Sequence, residues 1–154
     1  MSTTMAESTT NAAEQTVVVR VASELYGIDI TAVQEIIRVP AITRVPNTPG
    51  TTLGVTNLRG RIVPVMDLRV LLGAEVAEAT IASRVVIINL PEGDIGLWVD
   101  GVSEVLEVHA EDVDPSSTID WLADATILRG VVKLEGRLVG LLDIERLLAD
   151  GAAW

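Results

Sequence analysis

Residues 54–72 read GVTNLRGRIVPVMDLRVLL, and residues 130–148 read GVVKLEGRLVGLLDIERLL. Aligned without gaps they agree at 9 of 19 positions: Gly54, Val55, Leu58, Gly60, Arg61, Val63, Asp67, Leu71 and Leu72. A shorter echo precedes each block, YGIDITAVQEIIRV at 26–39 and IGLWVDGVSEVLEV at 95–108. A repeat at fixed spacing is the mark of one structural unit used twice. The chain is an internal duplication, with repeats near 17–73 and 85–149.

Each repeat reads as strand, turn, strand, a connecting segment, then a hairpin and a short helix. The first strands are the β-branched runs Val17-Val18-Val19-Arg20-Val21 and Val85-Val86-Ile87-Ile88-Asn89-Leu90, the latter stopped by Pro91-Glu92-Gly93-Asp94. Asn57-Leu58-Arg59-Gly60 and Lys133-Leu134-Glu135-Gly136 are the hairpin turns, with glycine supplying positive φ. Pro64 and Gly140 occupy the same place in the following strand. Neither suits a central strand, so an edge or a bulge is expected at both. Asp67 and Asp143 stand at helix N-caps, each followed by a Leu-Leu pair for the core, and Gly73 and Gly151 act as stops.

Composition narrows the function. Apolar residues make up 49% of the 154, aromatics only 3%, and phenylalanine is absent, so Val, Ile and Leu must build the core. There is no cysteine, which excludes disulfides, thiol nucleophiles and Cys-ligated zinc. Twenty-two acids face 11 bases, for a net charge of −11, so phosphate-neutralising nucleic-acid binding and attraction to anionic membranes are disfavoured. No apolar run is long enough for a bilayer, and the N-terminus lacks the pattern of a secretory signal. A cytoplasmic protein is the expectation. Residues 1–15, rich in Ser, Thr and Ala without apolar period, read as a disordered tail, 16–150 as the folded unit and 151–154 as a C-terminal tail.

Catalytic apparatus is not visible. His109 is the only histidine, and His109-Ala110-Glu111 cannot complete a zinc deaminase signature without cysteine. Asp112-x-Asp114-x-Ser116 opens like a calcium loop but puts Ser117 where glycine belongs and Ala123 where the closing glutamate belongs. Phosphate-loop, dinucleotide and nucleophile-elbow motifs are missing. No metal, cofactor or catalytic residue is assigned. Trp98 reads as core, Trp121 follows an acidic loop, and Trp154 ends the chain. The duplication supplies a sharper criterion. Positions identical in both copies serve the shared fold, whereas exposed turn positions that differ, Asn57 and Arg59 against Lys133 and Glu135, are where function can diverge.

Taken together, YGIDITAVQEIIRV, TRVPNTPGTTLGVTNLRGRIVPVMDLRVLLG, LWVDGVSEVLEV and VGLLDIERLLA resemble the CheW family of chemotaxis coupling proteins, from about Val17 to Leu148. The resemblance implies a mainly β fold: two intertwined SH3-like five-stranded β-barrel subdomains with short helices. It implies a non-enzymatic adaptor joining the signalling tip of methyl-accepting chemotaxis receptors to the regulatory domain of a CheA-type histidine kinase, held at membrane-associated receptor arrays without inserting in the membrane. Carried onto the matching positions, the receptor groove would include Val33, Glu35, Ile36, Gly54, Asn57 and Arg59. Alternatives are an adaptor for a pilus or developmental array, a small-ligand sensor with a site between the barrels, and a hydrolase using a base other than His109.

Overall fold

The computed structural model describes residues 14–48, 50–115 and 127–151. Ten strands follow in order: β1 (Glu14–Val21), β2 (Glu24–Asp29), β3 (Val33–Arg38), β4 (Thr52–Leu58), β5 (Arg61–Asp67), β6 (Arg84–Leu90), β7 (Gly93–Val99), β8 (Gly101–Val108), β9 (Leu128–Leu134) and β10 (Arg137–Leu142). Among the described residues two α-helices, α1 (Leu68–Leu71) and α2 (Ile144–Gly151), follow β5 and β10. The strand run begins three residues ahead of Val17, so Glu14 and Gln15 belong to β1 and pair with Val108 and Glu107. The segment from Ser116 onward that fails as a calcium loop, Trp121, Trp154 and most of the N-terminal tail lie outside the described residues.

The strands form two five-stranded sheets, ordered β8-β1-β2-β10-β9 and β3-β6-β7-β5-β4. Matching β1 to β6, β2 to β7, β3 to β8, β4 to β9 and β5 to β10 turns one order into the other. Neither sheet comes from one repeat. The first takes β1 and β2 from the first repeat and the rest from the second, while the other takes three strands from the first repeat and two from the second. The chain passes between sheets twice, at residues 30–32 and at Asp100. The strands between Val33 and Val99 build one barrel, here the central barrel; the strands within 14–29, 101–108 and 128–142 build the terminal barrel.

Burial explains the sequence pattern. A strand with one wet face alternates apolar and polar residues, but β1 and β6 are apolar almost without interruption. In β6, Val85 and Ile87 join Val63, Val65 and Trp98 inside the central barrel, while Val86 and Ile88 face a second cluster shared by both barrels. In β1, Val18 packs inside the terminal barrel with Leu25, Val132, Val139 and Leu141, while Val17, Val19 and Val21 enter the shared cluster. All five strands of each sheet supply a residue to its own interior cluster, so each sheet curls around it. Trp98 is core, as the sequence suggests.

The hairpin turns are two-residue turns with both central residues at positive φ: Arg59 at 52° with Gly60 at 85°, and Glu135 at 48° with Gly136 at 80°. This is the turn whose twist matches that of the flanking strands. Both expected caps form. The Asp67 carboxylate accepts from the Arg69 N–H at 2.9 Å, and that of Asp143 from the Arg146 N–H at 3.2 Å. Leu72, Leu147 and Leu148 are buried in the shared cluster.

The reading of Pro64 and Gly140 as edge or bulge sites needs correction. β5 lies between β7 and β4, and β10 between β2 and β9, so both are interior strands. Proline is tolerated because the parallel ladder to β7 starts at Val65, one residue later, and the register shift against β4 falls opposite Val65 and Met66. Gly140 sits in mid-ladder opposite Tyr26 and Val131, and a Cβ there would stand 3.2 Å from Leu128 and 3.4 Å from Tyr26. Close packing, not a break in the sheet, keeps it small.

Candidate functional site at the rim of the central barrel

The central barrel ends in two edge strands, β3 and β4, and the sequence-derived groove residues divide between them. Val33, Glu35 and Ile36 lie on β3; Gly54 and Asn57 lie on β4, and Arg59 in the β4–β5 turn. The curl of the sheet brings the two groups together at one point. Arg59 reaches across the rim and grips the Glu35 carboxylate through both Nη atoms, at 3.2 Å for Nη1–Oε1 and with Nη2 on Oε2. Two parallel bonds from a planar fork make this a bidentate pair. The hydrogen bond from Arg59 holds the Glu35 carboxyl below the usual glutamate range, and the same contact raises Arg59.

The other four residues do different things. Val33 packs on the shared cluster, whereas Ile36 points outward and is 38% exposed. Asn57 turns its Oδ1 back to accept from the Gly60 N–H at 2.9 Å, bracing the turn that carries Arg59. Gly54 is buried by its own chain: Thr43 and Val55 exchange backbone hydrogen bonds at 2.8 Å, and a Cβ on Gly54 would collide with the Thr43 carbonyl. Its counterpart Gly130 is crowded in the same way by Val113 and Asp114, which bridges Val131. Gly54 is thus explained by fold, in keeping with its identity in both repeats.

Sequence reasoning missed the polar group beside the pair. Arg61 donates to Asp94 at 2.8 Å, and the Gln34 amide, turned to donate, reaches the same carboxylate at 2.6 Å. Asp94 is nearly buried, with 7% of its side chain exposed. Nothing in the linear order joins residues 34, 61 and 94; only the neighbouring ends of β3, β5 and β7 do. Close by, Ile62 is 65% exposed beside an open groove of about 860 Å³ that runs between Pro64 and Leu90 of the central barrel and Leu148 of α2. None of the six sequence-derived residues lines that groove.

A second missed feature joins the barrels. Arg69, buried at 3% exposure, clasps Asp67 through Nε (2.9 Å) and Nη2 (3.0 Å), meets Asp100 at 3.3 Å and the Ala77 carbonyl at 2.6 Å, and lies over the Trp98 ring. Burial alone would lower this guanidinium, but the Asp67 hydrogen bond and the two nearby carboxylates outweigh it and raise the group. The other Asp100 oxygen accepts from the Ala22 N–H of the terminal barrel at 2.7 Å. One carboxylate at the chain crossing therefore holds both barrels.

His109 is exposed at the end of β8, in front of a short 3-10 turn at Ala110–Asp112, which it does not cap. Among the described residues no three His, Asp or Glu side chains gather closely enough to hold a metal, and no helix is long and apolar enough to cross a membrane.

Comparison with known proteins agrees with this architecture. Residues 15–152 match the model of the CheW-like domain. The chain is 41% identical to the chemotaxis protein CheW of Klebsiella aerogenes over 83% of its own length and 77% of that protein. It is 32% identical to the chemotaxis protein CheW of Rhizobium meliloti, over 93% and 92%. Its fold superposes on the crystal structure of the scaffolding protein TtCheW from Thermoanaerobacter tengcongensis with a TM-score of 0.81 at 31% identity, covering 88% of each chain. With two intertwined barrels, the repeated hairpin and a family match across nearly the whole chain, this protein belongs to the CheW family.

Proposed function

We propose that the chain is a non-enzymatic adaptor that couples methyl-accepting chemotaxis receptors to a CheA-type histidine kinase, and that the rim around Glu35 and Arg59 meets the receptor tip. The observation that carries this reading is the Arg59 position. The two hairpin turns have nearly the same backbone, yet one holds Arg59 and the other Glu135, so the turn geometry does not call for arginine. Arg59 is 62% exposed in its side chain and is held in a defined orientation by Glu35. An oriented, exposed guanidinium with an apolar stem is a common interface anchor. The exposed Ile36 on the same strand as Glu35 offers apolar contact to a helical hairpin. The kinase contact is assigned to related barrel surfaces, where a specific apolar interface should bury about 1,000 Å² or more. Recruitment to receptor arrays follows from these two contacts and needs no cofactor.

The test is capture of receptor signalling fragments and of the kinase regulatory domain from the same genome. Arg59→Ala should leave the melting temperature nearly unchanged while weakening receptor capture by at least about tenfold, a 1.4 kcal/mol change in binding. Arg59→Glu should be weaker still, and Glu35→Arg combined with Arg59→Glu should recover part of the loss. Normal receptor capture by Arg59→Ala would overturn the site assignment; failure of the unaltered protein to bind either partner would overturn the adaptor reading.

A further inference from the structure

Five of the ten arginines have carboxylate partners: Arg59 with Glu35, Arg61 with Asp94, Arg69 with Asp67, Arg129 with Glu14 and Arg146 with Asp143. In a chain with twice as many acids as bases this is the expected outcome. Arg20, Arg38, Arg44, Arg84 and Arg137 have no ion pair among the described residues, and three of these five, Arg20, Arg84 and Arg137, line one open pocket of about 360 Å³ with Leu25, Gly101 and Ser103. Arg20 and Arg137 come from the terminal barrel and Arg84 from the central one, so the pocket spans the seam near the Asp100 crossing.

The duplication explains how the charge became uncompensated. Arg137 is the counterpart of Arg61, which is neutralised by Asp94. The residue matching Asp94 in the terminal barrel is Leu25: it faces Val139 in the β10–β2 ladder, and the β5–β7 ladder continued by two residues sets Asp94 opposite the matching Val63. Arg137 keeps its place and loses its carboxylate.

The arginines are also held in position. Arg20 donates to the Asp100 carbonyl at 3.0 Å and lies against Gly101, where a Cβ would stand 3.1 Å from its Nη2. Arg84 donates through Nη1 to the Ile81 and Ser83 carbonyls, both at 2.8 Å, and Arg137 through Nη2 to the Ser23 carbonyl at 3.0 Å. Nε and the second Nη of Arg84 and Arg137 remain available. Three fixed guanidiniums without a counter-ion repel one another, and an oxyanion relieves that repulsion while accepting the spare N–H groups.

We propose that Arg20, Arg84 and Arg137 form a binding site for a phosphoryl-class oxyanion at the seam between the barrels. A monocarboxylate offers two oxygens and one charge. A phosphoryl group carries about −1.5 to −2 at pH 7 and three acceptor oxygens, the better match to three forks. The site does not depend on the adaptor reading.

The test is titration of the full chain with inorganic phosphate and with pyrophosphate, at constant ionic strength set with chloride, followed by calorimetry and by melting temperature. Saturable binding at one site, with a rise in melting temperature, is expected. Arg84→Gln with Arg137→Gln should weaken it at least about tenfold, while Arg44→Gln, which removes an exposed arginine elsewhere, should leave it unchanged. Ser103→Glu should abolish binding by placing a carboxylate in the pocket, and should leave the protein folded because Ser103 is exposed. Acetate at equal concentration should bind more weakly. Absence of saturable binding, equal loss in Arg44→Gln, or undiminished binding in Ser103→Glu would overturn the proposal.

Discussion

The two barrels have the same strand order, the same hairpin turn, the same capping aspartate and the same leucine pair, yet their rims differ in charge. The central barrel closes with Glu35 on Arg59, and with Arg61 and Gln34 on Asp94. At the matching places the terminal barrel has Glu104, Glu135, Ser103 and Leu25, with no ion pair among them. The difference extends to the helices. Two residues after the cap, the first repeat has buried Arg69 and the second has exposed Glu145. Duplication copied the scaffold and left these positions free. Most of what diverged are groups whose partners lie on other strands, and both repeats keep the common fold.

The largest effect should come from the buried arginine. Arg69→Met leaves Asp67 and part of Asp100 uncompensated in a dry site, where loss of one partner costs about 3–5 kcal/mol. Glu145→Ala, at the matching position, should change stability by no more than about 0.5 kcal/mol. Urea denaturation of both variants measures the contrast; equal losses would mean that the joint at Asp100 is no stronger than the other helix terminus.

A smaller contrast separates the paired edge glycines. Gly54 has φ of 149°, and an alanine there would strain the backbone and strike the Thr43 carbonyl. Its cost should be about 3 kcal/mol or more. Gly130 is not among the positive-φ residues, and the backbone oxygen facing a Cβ there, that of Asp114 at 2.9 Å, stands farther off than the Thr43 oxygen does at Gly54, so Gly130→Ala should cost less, about 1–2 kcal/mol. If denaturation midpoints fall equally, the edge cover at Thr43 and that at Asp114 are equivalent and this asymmetry is wrong.

The smallest effect concerns pH. Arg59 lowers the folded-state pKa of Glu35 relative to the unfolded chain. The pair's contribution is therefore present above the ordinary glutamate value of about 4.3 and is lost as pH falls through the lowered folded value. Because both groups face solvent, the effect on stability should be slight and sensitive to salt. NMR titration of the Glu35 carboxyl should show its midpoint rise in Arg59→Ala. An unchanged midpoint would mean that the pair does not persist in solution.

The sequence by itself determined the duplication, the strand-rich class, the hairpin turns, both helix caps and the family, because these depend on residues close together in the chain. A Gly at a positive-φ turn or an Asp at an N-cap acts over a few residues, and two copies of the pattern reinforce one another. The resemblance also brought Glu35 and Arg59 to attention together, although 24 positions separate them.

Only the tertiary structure decided what lies between distant strands. The exchange of strands between the two sheets makes β5 and β10 interior, which the local reading of Pro64 and Gly140 could not anticipate. Gln34, Arg61 and Asp94 meet because three strand ends converge. Arg69 reaches Asp100, and Arg20, Arg84 and Arg137 share a pocket, because the chain crosses between barrels at Asp100. Charges separated by dozens of residues leave no periodic signal. Their interaction is set by distance and burial, and both exist only once the two sheets have closed around their shared core.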